Sequence, residues 1–130
     1  MQGYHLFEYA TIRLIPRVER GEFVNIGSIL YCSGERFLEC IFHWDDQRIL
    51  TLFPDVDLVL VKGYARSFEL ICEGSKSGGG IAGLTIAERF RWLTATRSTI
   101  IQGSPVHTGY TRDARTTLQK LHADLVKTNQ

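Results

Sequence analysis

Close pairs of cysteines are missing from this sequence. Its three cysteines, Cys32, Cys40 and Cys72, are an odd number and stand far apart along the chain. A zinc clamp or a thiol-exchange motif needs two cysteines within a few residues of each other. We therefore expect three buried, reduced thiols, and we predict no metal and no cofactor.

Long apolar runs are missing as well. No stretch reaches the roughly 20 residues that a membrane-spanning helix requires. The first ten residues contain Glu8 and lack the basic end and the apolar run of a secretory signal. These absences predict a cytoplasmic protein without a membrane partner.

A strong net charge is the third absence. The formal net charge is +1, so no overall field would draw the chain onto nucleic acid, and we do not expect a nucleic-acid partner. Eleven of the 15 basic residues are arginine, and a guanidinium group suits carboxylate or phosphate recognition better than an ammonium does. Codon usage is the plainer explanation of this excess.

Size and composition are those of an ordinary folded domain. The chain has 130 residues, of which 44% are hydrophobic and 22% are charged. A chain of this length buries a core without disulfides or metals. We predict a single domain over residues 1–130.

The first third of the chain predicts three strands joined as a meander, over residues 6–15, 23–32 and 36–44. Strict alternation divides their side chains between two faces. The apolar, core-facing set is Ala10, Ile12, Leu14, Val24, Ile26, Leu30, Leu38, Cys40, Phe42 and Trp44. The opposite, mixed set is Tyr9, Thr11, Arg13, Asn25, Gly27, Tyr31, Glu39 and His43. A three-residue connection over residues 33–35 would let the apolar positions of the second and third strands coincide.

Helix signals occupy the middle of the chain. Asp45 or Asp46 is placed to cap a short helix, and Asp55 is placed to cap a longer one that ends at Gly74. A buried strand over residues 58–61 is the competing interpretation.

The remaining elements complete the predicted fold. Thr85 and Glu88 form a capping box for a third helix, and Asp113 begins the last one. Residues 98–102 are predicted as a fourth strand, and residues 106–109 as a loop or strand extension. Together these signals predict an α+β fold: an antiparallel sheet of about four strands with helices packed on one face.

A glycine-rich segment over residues 74–83 is the one stretch of unusual composition. A glycine-rich loop that leads into a helix can cradle a phosphate, but the phosphate-binding loop ends in Gly-Lys-Ser/Thr. Here Lys76 precedes the glycines. A mobile surface loop is therefore the preferred interpretation.

Four histidines offer acid–base groups without a metal-ligand spacing: His5, His43, His107 and His122. The apolar stripe of the last helix predicts that His122 is a surface or boundary residue. His43, at a strand end, and His107, after a proline bend, are the candidate proton carriers. A structural hydrogen bond is the plainer role for each of them.

Two separated motifs carry a resemblance to a known family. The first motif is residues 20–27, RGEFVNIG, with Tyr9 and Arg13 before it on the first strand. The second lies within residues 89–109 and begins RFRWLTA. In order and in spacing, both motifs resemble those of the bacterial domain-of-unknown-function family DUF3037.

The resemblance covers most of the chain and carries expectations of its own. Thr96 and Gly103 depart from the family pattern, which affects the expected loop shape more than the chemistry. The family has no established catalytic residue. Because its members often appear beside HipA-like kinase proteins, the resemblance implies an accessory or partner role in such a module.

The motifs and the face assignment together predict one binding site. Arg13 and Asn25 project from the mixed face of the sheet, while Arg97, Ser98 and His107 flank the fourth strand. If that strand joins the sheet, these five side chains converge on an anion-accepting pocket.

Two functions from different classes follow from this hypothesis. The leading one is a non-catalytic binding or regulatory partner, of a HipA-like kinase module, that uses the Arg-rich pocket. The alternative is a small hydrolase, nuclease or phosphoryl-transfer enzyme, in which His107 or His43 carries the proton and Arg13 or Arg97 stabilises charge. The oligomeric state and the ligand are left open by the sequence.

Overall fold

Capping residues set the boundaries of the first two helices. The Asp45 side chain accepts a hydrogen bond from the Arg48 amide at 3.1 Å, so the short helix α1 spans Asp46–Leu52. The longer helix α2 spans Leu58–Glu73 and ends at Gly74, whose φ of 72° lies in the left-handed region. Its N-terminal cap is Asp57, two residues later than the predicted Asp55. The competing strand over residues 58–61 is wrong, because these residues form the first turn of α2.

The last two helices begin where the sequence predicted. In the capping box of α3 (Ile86–Thr94), Thr85 accepts from the Glu88 amide at 3.2 Å and Glu88 accepts from the Thr85 amide at 3.1 Å. Helix α4 (Ala114–Leu125) is capped by Asp113, which accepts from the Thr116 amide at 3.2 Å. Both helix starts are confirmed.

Five antiparallel strands form one sheet in this computed structural model, which describes residues 2–95 and 99–127. The strands are β1 (His5–Leu14), β2 (Val24–Cys32), β3 (Phe37–Phe42), β4 (Ile101–Gly103) and β5 (His107–Thr111). Their order is β3-β2-β1-β4, and β5 pairs with the N-terminal half of β1 beside β4. The α+β class and the antiparallel sheet are confirmed, with five strands among the described residues where about four were predicted.

The connection between β2 and β3 is one residue longer than predicted. A 3-10 turn over Ser33–Glu35 is followed by Arg36, whose φ of 50° is left-handed. Cys32 therefore pairs with Phe37, and Leu30 pairs with Glu39. Odd-numbered residues of β2 therefore pair with even-numbered residues of β3, and even-numbered residues of β2 pair with odd-numbered residues of β3. The predicted three-residue connection and its register are wrong.

A β-bulge in β2 changes which side chains share a face. Ile12 pairs with Gly27 and Arg13 pairs with Asn25, which leaves Ile26 as the extra residue. Before the bulge, the even-numbered Val24 lies on the same face of the sheet as Leu14. After the bulge, the odd-numbered residues of β2 lie on that face. The predicted unbroken alternation along β2 is therefore wrong.

Strand β2 is apolar on both faces. Ile29 pairs with Ala10 and lies on one face, whereas Leu30 pairs with Tyr9 and lies on the other. Both side chains are fully buried. A sheet whose central strand is apolar on both sides must be covered on both sides.

Helices accordingly cover both faces, where one covered face was predicted. The first face packs against α2 and α3, and its buried core is Ala10, Ile12, Leu14, Val24, Ile26, Ile29, Leu38, Ile49, Val61, Ile71, Cys72, Phe90 and Leu93. The second face packs against α4, and its buried core is Phe7, Leu30, Cys32, Phe37, Ala114 and Leu118. The Arg115 side chain of α4 also donates to Glu39 of β3 at 2.9 Å. Placement of all helices on one face is therefore wrong for α4.

The glycine-rich segment is folded into two short 3-10 turns, Lys76–Gly78 and Gly80–Gly83. The second turn places Ala82 in a buried position. The predicted fourth strand also differs in extent, because β4 spans Ile101–Gly103 and residue 98 lies outside the described residues.

Within residues 2–95 and 99–127, no helix has the length and hydropathy needed to cross a bilayer.

Two glycine-to-alanine substitutions test the packing of β2 against β3. A Cβ at Gly27 would lie 2.7 Å from the Ile41 carbonyl oxygen, whereas a Cβ at Gly63 on α2 would meet nothing within 4 Å. We expect Gly27→Ala to lower the free energy of unfolding by about 1–3 kcal/mol, since backbone must move to admit the methyl group. Gly63→Ala, the control, should raise it by about 0.5–1 kcal/mol.

Urea denaturation of the two variants and the parent measures both changes. A Gly27→Ala variant as stable as the parent would contradict the close approach of the two strands.

Candidate functional site

Arg13 and Asn25 are brought together across the β1–β2 ladder. The guanidinium carbon of Arg13 lies 4.1 Å from the centre of the Phe23 ring, a cation–π contact. Asn25 Nδ2 donates to the main-chain oxygen of Leu125 at the end of α4, at 3.2 Å. Arg13 Nε and Asn25 Oδ1 are both buried, and neither has a hydrogen-bond partner among the described residues. These two predicted site residues are therefore neighbours, but α4 has engaged the amide of Asn25.

His107 lies on the same face as Arg13, farther along the sheet. It pairs with Tyr9 on β1, and the two ring centres are 5.5 Å apart. Tyr9 and Arg13 are four residues apart on one strand, which is a separation of about 13 Å. The His107 ring is exposed. The described residues therefore put His107 and Arg13 on one face without bringing them into contact.

Arg97 and Ser98, the other two predicted site residues, lie outside the described residues. The anion-accepting pocket as a whole stays a prediction. The described part differs from expectation in one respect: the mixed face beside Asn25 is covered by α4, where an uncovered face was expected.

His122 on α4 occupies a buried position over β2. Its Nδ1 lies 2.9 Å from the hydroxyl oxygen of the buried Ser28, and the two groups share a hydrogen bond. The predicted surface or boundary position of His122 is wrong. That prediction used the pattern of the last helix alone, whereas the bulge in β2 turns Ser28 toward α4. Burial lowers the pKa of His122, and the positive charge of Lys127 and the neighbouring His43 add to this effect.

His43 lies at the end of β3, where its amide donates to the Ile26 carbonyl oxygen at 2.8 Å. Its ring centre is 6.5 Å from that of His122. The hydrogen bond between Ser28 and His122 holds α4 on the sheet. Because both residues are buried, neither side chain is an accessible nucleophile. Among the residues that the structure describes, no group of three or more His, Cys, Asp or Glu side chains is placed to hold a metal ion.

An apolar hollow between α2, α3 and β4 was not predicted from the sequence. This hollow, the α2 groove, has a volume of about 530 Å³. It is lined by Leu60, Tyr64, Ser67, Phe68, Ile71, Trp92, Leu93, Thr99, Ile100 and Ile101. The sequence signal that could have predicted this hollow is the width of the apolar stripe on α2. The stripe includes Leu60 and Tyr64 in addition to the buried Val61 and Ala65.

A second hollow, of about 540 Å³, continues from the α2 groove and shares Leu60 and Ile100 with it. Apolar side chains line much of it, including Phe53 and Val56. The two hollows therefore form one elongated depression along α2.

Two arginines that line the second hollow are paired with carboxylates. Arg17 bonds Glu19 at 2.9 Å, and Arg20 bonds Glu22 at 2.7 Å. The charges of these two arginines are therefore largely compensated within the chain.

Comparison with protein families shows a match over residues 9–126 to a family described as a protein of unknown function, DUF3037. The chain belongs to this family. Both motifs that carried the resemblance lie within the matched residues, so the family assignment is confirmed. Searches of curated proteins and of solved structures find no match to the chain.

Several DUF3037 motif positions in this chain have structural roles. Gly27 admits the β3 backbone. The Phe90 ring stacks on Tyr31 at 5.4 Å between ring centres. Ser104 Oγ accepts from the Thr11 amide at 2.9 Å and so joins β1 to the segment between β4 and β5.

Acidification tests the buried position of His122. The pKa of His122 is lower in the folded chain than its ordinary value of 6.5, so below that pH the unfolded chain binds a proton that the folded chain does not. Stability should therefore fall as the pH is lowered from about 7.5 to about 5.5. Urea denaturation at each pH measures the change.

The variant His122→Gln should lose most of this pH dependence, since glutamine does not titrate in the range. The control is His107→Gln, which removes an exposed histidine and should keep it. Equal pH profiles for the parent and His122→Gln would contradict the assignment.

Proposed function

We propose that this DUF3037 chain is a non-catalytic binding or regulatory partner, and that its α2 groove receives a helix of another protein. The proposed partner is a HipA-like kinase protein, and the proposed location is the cytoplasm. The observation that carries the proposal is the exposure of large apolar side chains in the α2 groove.

Three large apolar residues of the groove remain accessible to solvent. Leu60 is 48% exposed, Tyr64 is 49% exposed and Trp92 is 38% exposed. Isolated exposed apolar residues are ordinary on a protein surface, but a contiguous group in a hollow is typical of an interaction site. Aromatic side chains in such hollows supply much of the binding free energy in protein complexes.

The shape of the α2 groove suits a helix better than a small ligand. From Leu60 to Ile71 the groove follows α2 for about 16 Å, which is three helical turns. A partner helix of that length presents apolar residues at positions i, i+3 or i+4, and i+7 on one face. Those side chains would fill the hollow and bury Leu60, Tyr64 and Trp92.

The paired charges of the second hollow support an apolar mode of recognition. Because Arg17 and Arg20 already have carboxylate partners, a docking helix would gain little from salt bridges to them. We therefore expect the association to depend weakly on salt.

The choice of a HipA-like kinase protein rests on family resemblance. The resemblance to DUF3037 implies an accessory role beside such kinases, and the match over residues 9–126 shows only that the chain belongs to this family. The α2 groove supports a protein partner in general, and the choice of this particular one follows from the resemblance.

Adjacent substitutions on α2 test the groove. Leu60 lines it, whereas Val59 is 84% exposed and lines neither hollow. We expect Leu60→Ser to weaken binding of a purified HipA-like kinase protein by about tenfold or more. Val59→Ser should leave the affinity unchanged. Isothermal titration calorimetry on the purified proteins, with circular dichroism to confirm folding, measures both effects.

Salt dependence separates this mode from recognition by arginines. Raising the salt concentration about tenfold should change the dissociation constant less than about threefold, whereas binding of nucleic acid through several arginines would weaken much more steeply. Failure of the kinase to bind, or an equal loss from Val59→Ser, would refute the proposal.

A further inference from the structure

Two of the three cysteines lie together between the sheet and α2. Cys40 is on β3 and shares the face of Ile29, with which it pairs. Cys72 is in the last turn of α2 and belongs to the core cluster against which Cys40 packs. The two side chains are therefore neighbours across the contact between β3 and α2.

Both thiols border a pocket of about 440 Å³ that also includes Arg36 and Arg89. Cys40 is partly exposed, while Cys72 is buried. A small molecule that enters this pocket would therefore reach Cys40 first. The third cysteine, Cys32, is buried in the core on the α4 side of the sheet, away from the pair.

We propose that Cys40 and Cys72 form a reversible disulfide when a hydroperoxide enters this pocket, and that the bond fastens the end of α2 to β3. The two residues come from segments 32 positions apart in the sequence, so the bond would close a long loop. This inference does not depend on the proposed kinase partner.

The reaction balances with the hydroperoxide as the only oxidant. The thiolate of Cys40 attacks the terminal oxygen of the hydroperoxide, the O–O bond breaks, and an alcohol leaves after taking a proton. Cys40 is then a sulfenic acid. The sulfur of Cys72 attacks Cys40 Sγ, the S–S bond forms, and water leaves with the proton of Cys72. The two thiols lose two electrons and two protons, and the peroxide is reduced to alcohol and water.

Electrostatics makes the pair slow to react near neutral pH. The neighbouring Cys72 thiol, which favours the protonated form of Cys40, then burial, and then the negative charges of Glu69 and Glu73 raise the pKa of the Cys40 thiol. Only a small fraction is thiolate near pH 7, and the rate of oxidation should rise about tenfold for each unit of pH. Sustained oxidative conditions, and not brief ones, would form the bond.

The bond would act on the helix that carries the α2 groove. Ile71 lines the groove and is adjacent to Cys72 in the last turn of α2. A covalent link at Cys72 restrains that turn against the sheet. Oxidation should therefore raise the midpoint of thermal unfolding by about 5–15 °C.

Hydrogen peroxide treatment of the purified chain, at about pH 8 to speed the reaction, tests the proposal. Free thiols counted under denaturing conditions should fall from three to one, intact mass should fall by about 2 Da, and peptide mapping should link Cys40 to Cys72. A thiol reductant should restore three thiols and the original melting temperature.

Matched variants identify the pair. Cys32→Ser, the control, should still lose two thiols, whereas Cys72→Ser should form no intramolecular disulfide. If Cys72→Ser fails to fold, the peptide map of the parent decides the question alone. Retention of three thiols, a link that includes Cys32, or bonds only between separate chains would overturn the proposal.

Discussion

The extra residue in β2 is the constraint on which the rest of the structure depends. The bulge at Ile26 decides that the fully buried Ile29 faces α2 and α3 and that the fully buried Leu30 faces α4. One face is covered by α2 and α3, and the other requires α4. Burial of apolar surface on both sides of a central strand contributes more to stability than a sheet with one wet face would allow. The same bulge turns Ser28 toward α4, where it meets His122.

The family motifs supply contacts within the fold and one side of the proposed binding surface. Gly27, Phe90 and Ser104 are motif residues that join strands and helices to one another. Trp92 of the α2 groove belongs to the second motif, whereas Leu60 and Tyr64 lie outside both motifs. A position whose neighbours are backbone or core atoms tolerates little change, whereas an exposed groove residue such as Leu60 has to fit only the partner.

Local signals in the sequence predicted local structure well. Asp45, Thr85 and Asp113 cap helices in the structure, and Gly74 ends α2, because a capping side chain bonds to amides two or three residues away. The strand register could not be read in the same way. It depends on Arg36 adopting a left-handed conformation and on one unpaired residue in β2, and each shift by one residue exchanges the two faces.

The sequence by itself determined the class of fold, the antiparallel meander and the positions of most helix ends, since these rest on patterns and contacts of residues close together in the chain; two sequence motifs determined the family. Only the tertiary structure decided that α4 covers the face of Asn25, that Cys40 and Cys72 border one pocket, and that Leu60 and Tyr64 line a groove. Such contacts join residues far apart in the sequence. Which of them form depends on the face of the sheet on which each side chain lies. The bulge at Ile26 made that choice for β2, and hydrophobic periodicity carries no record of it.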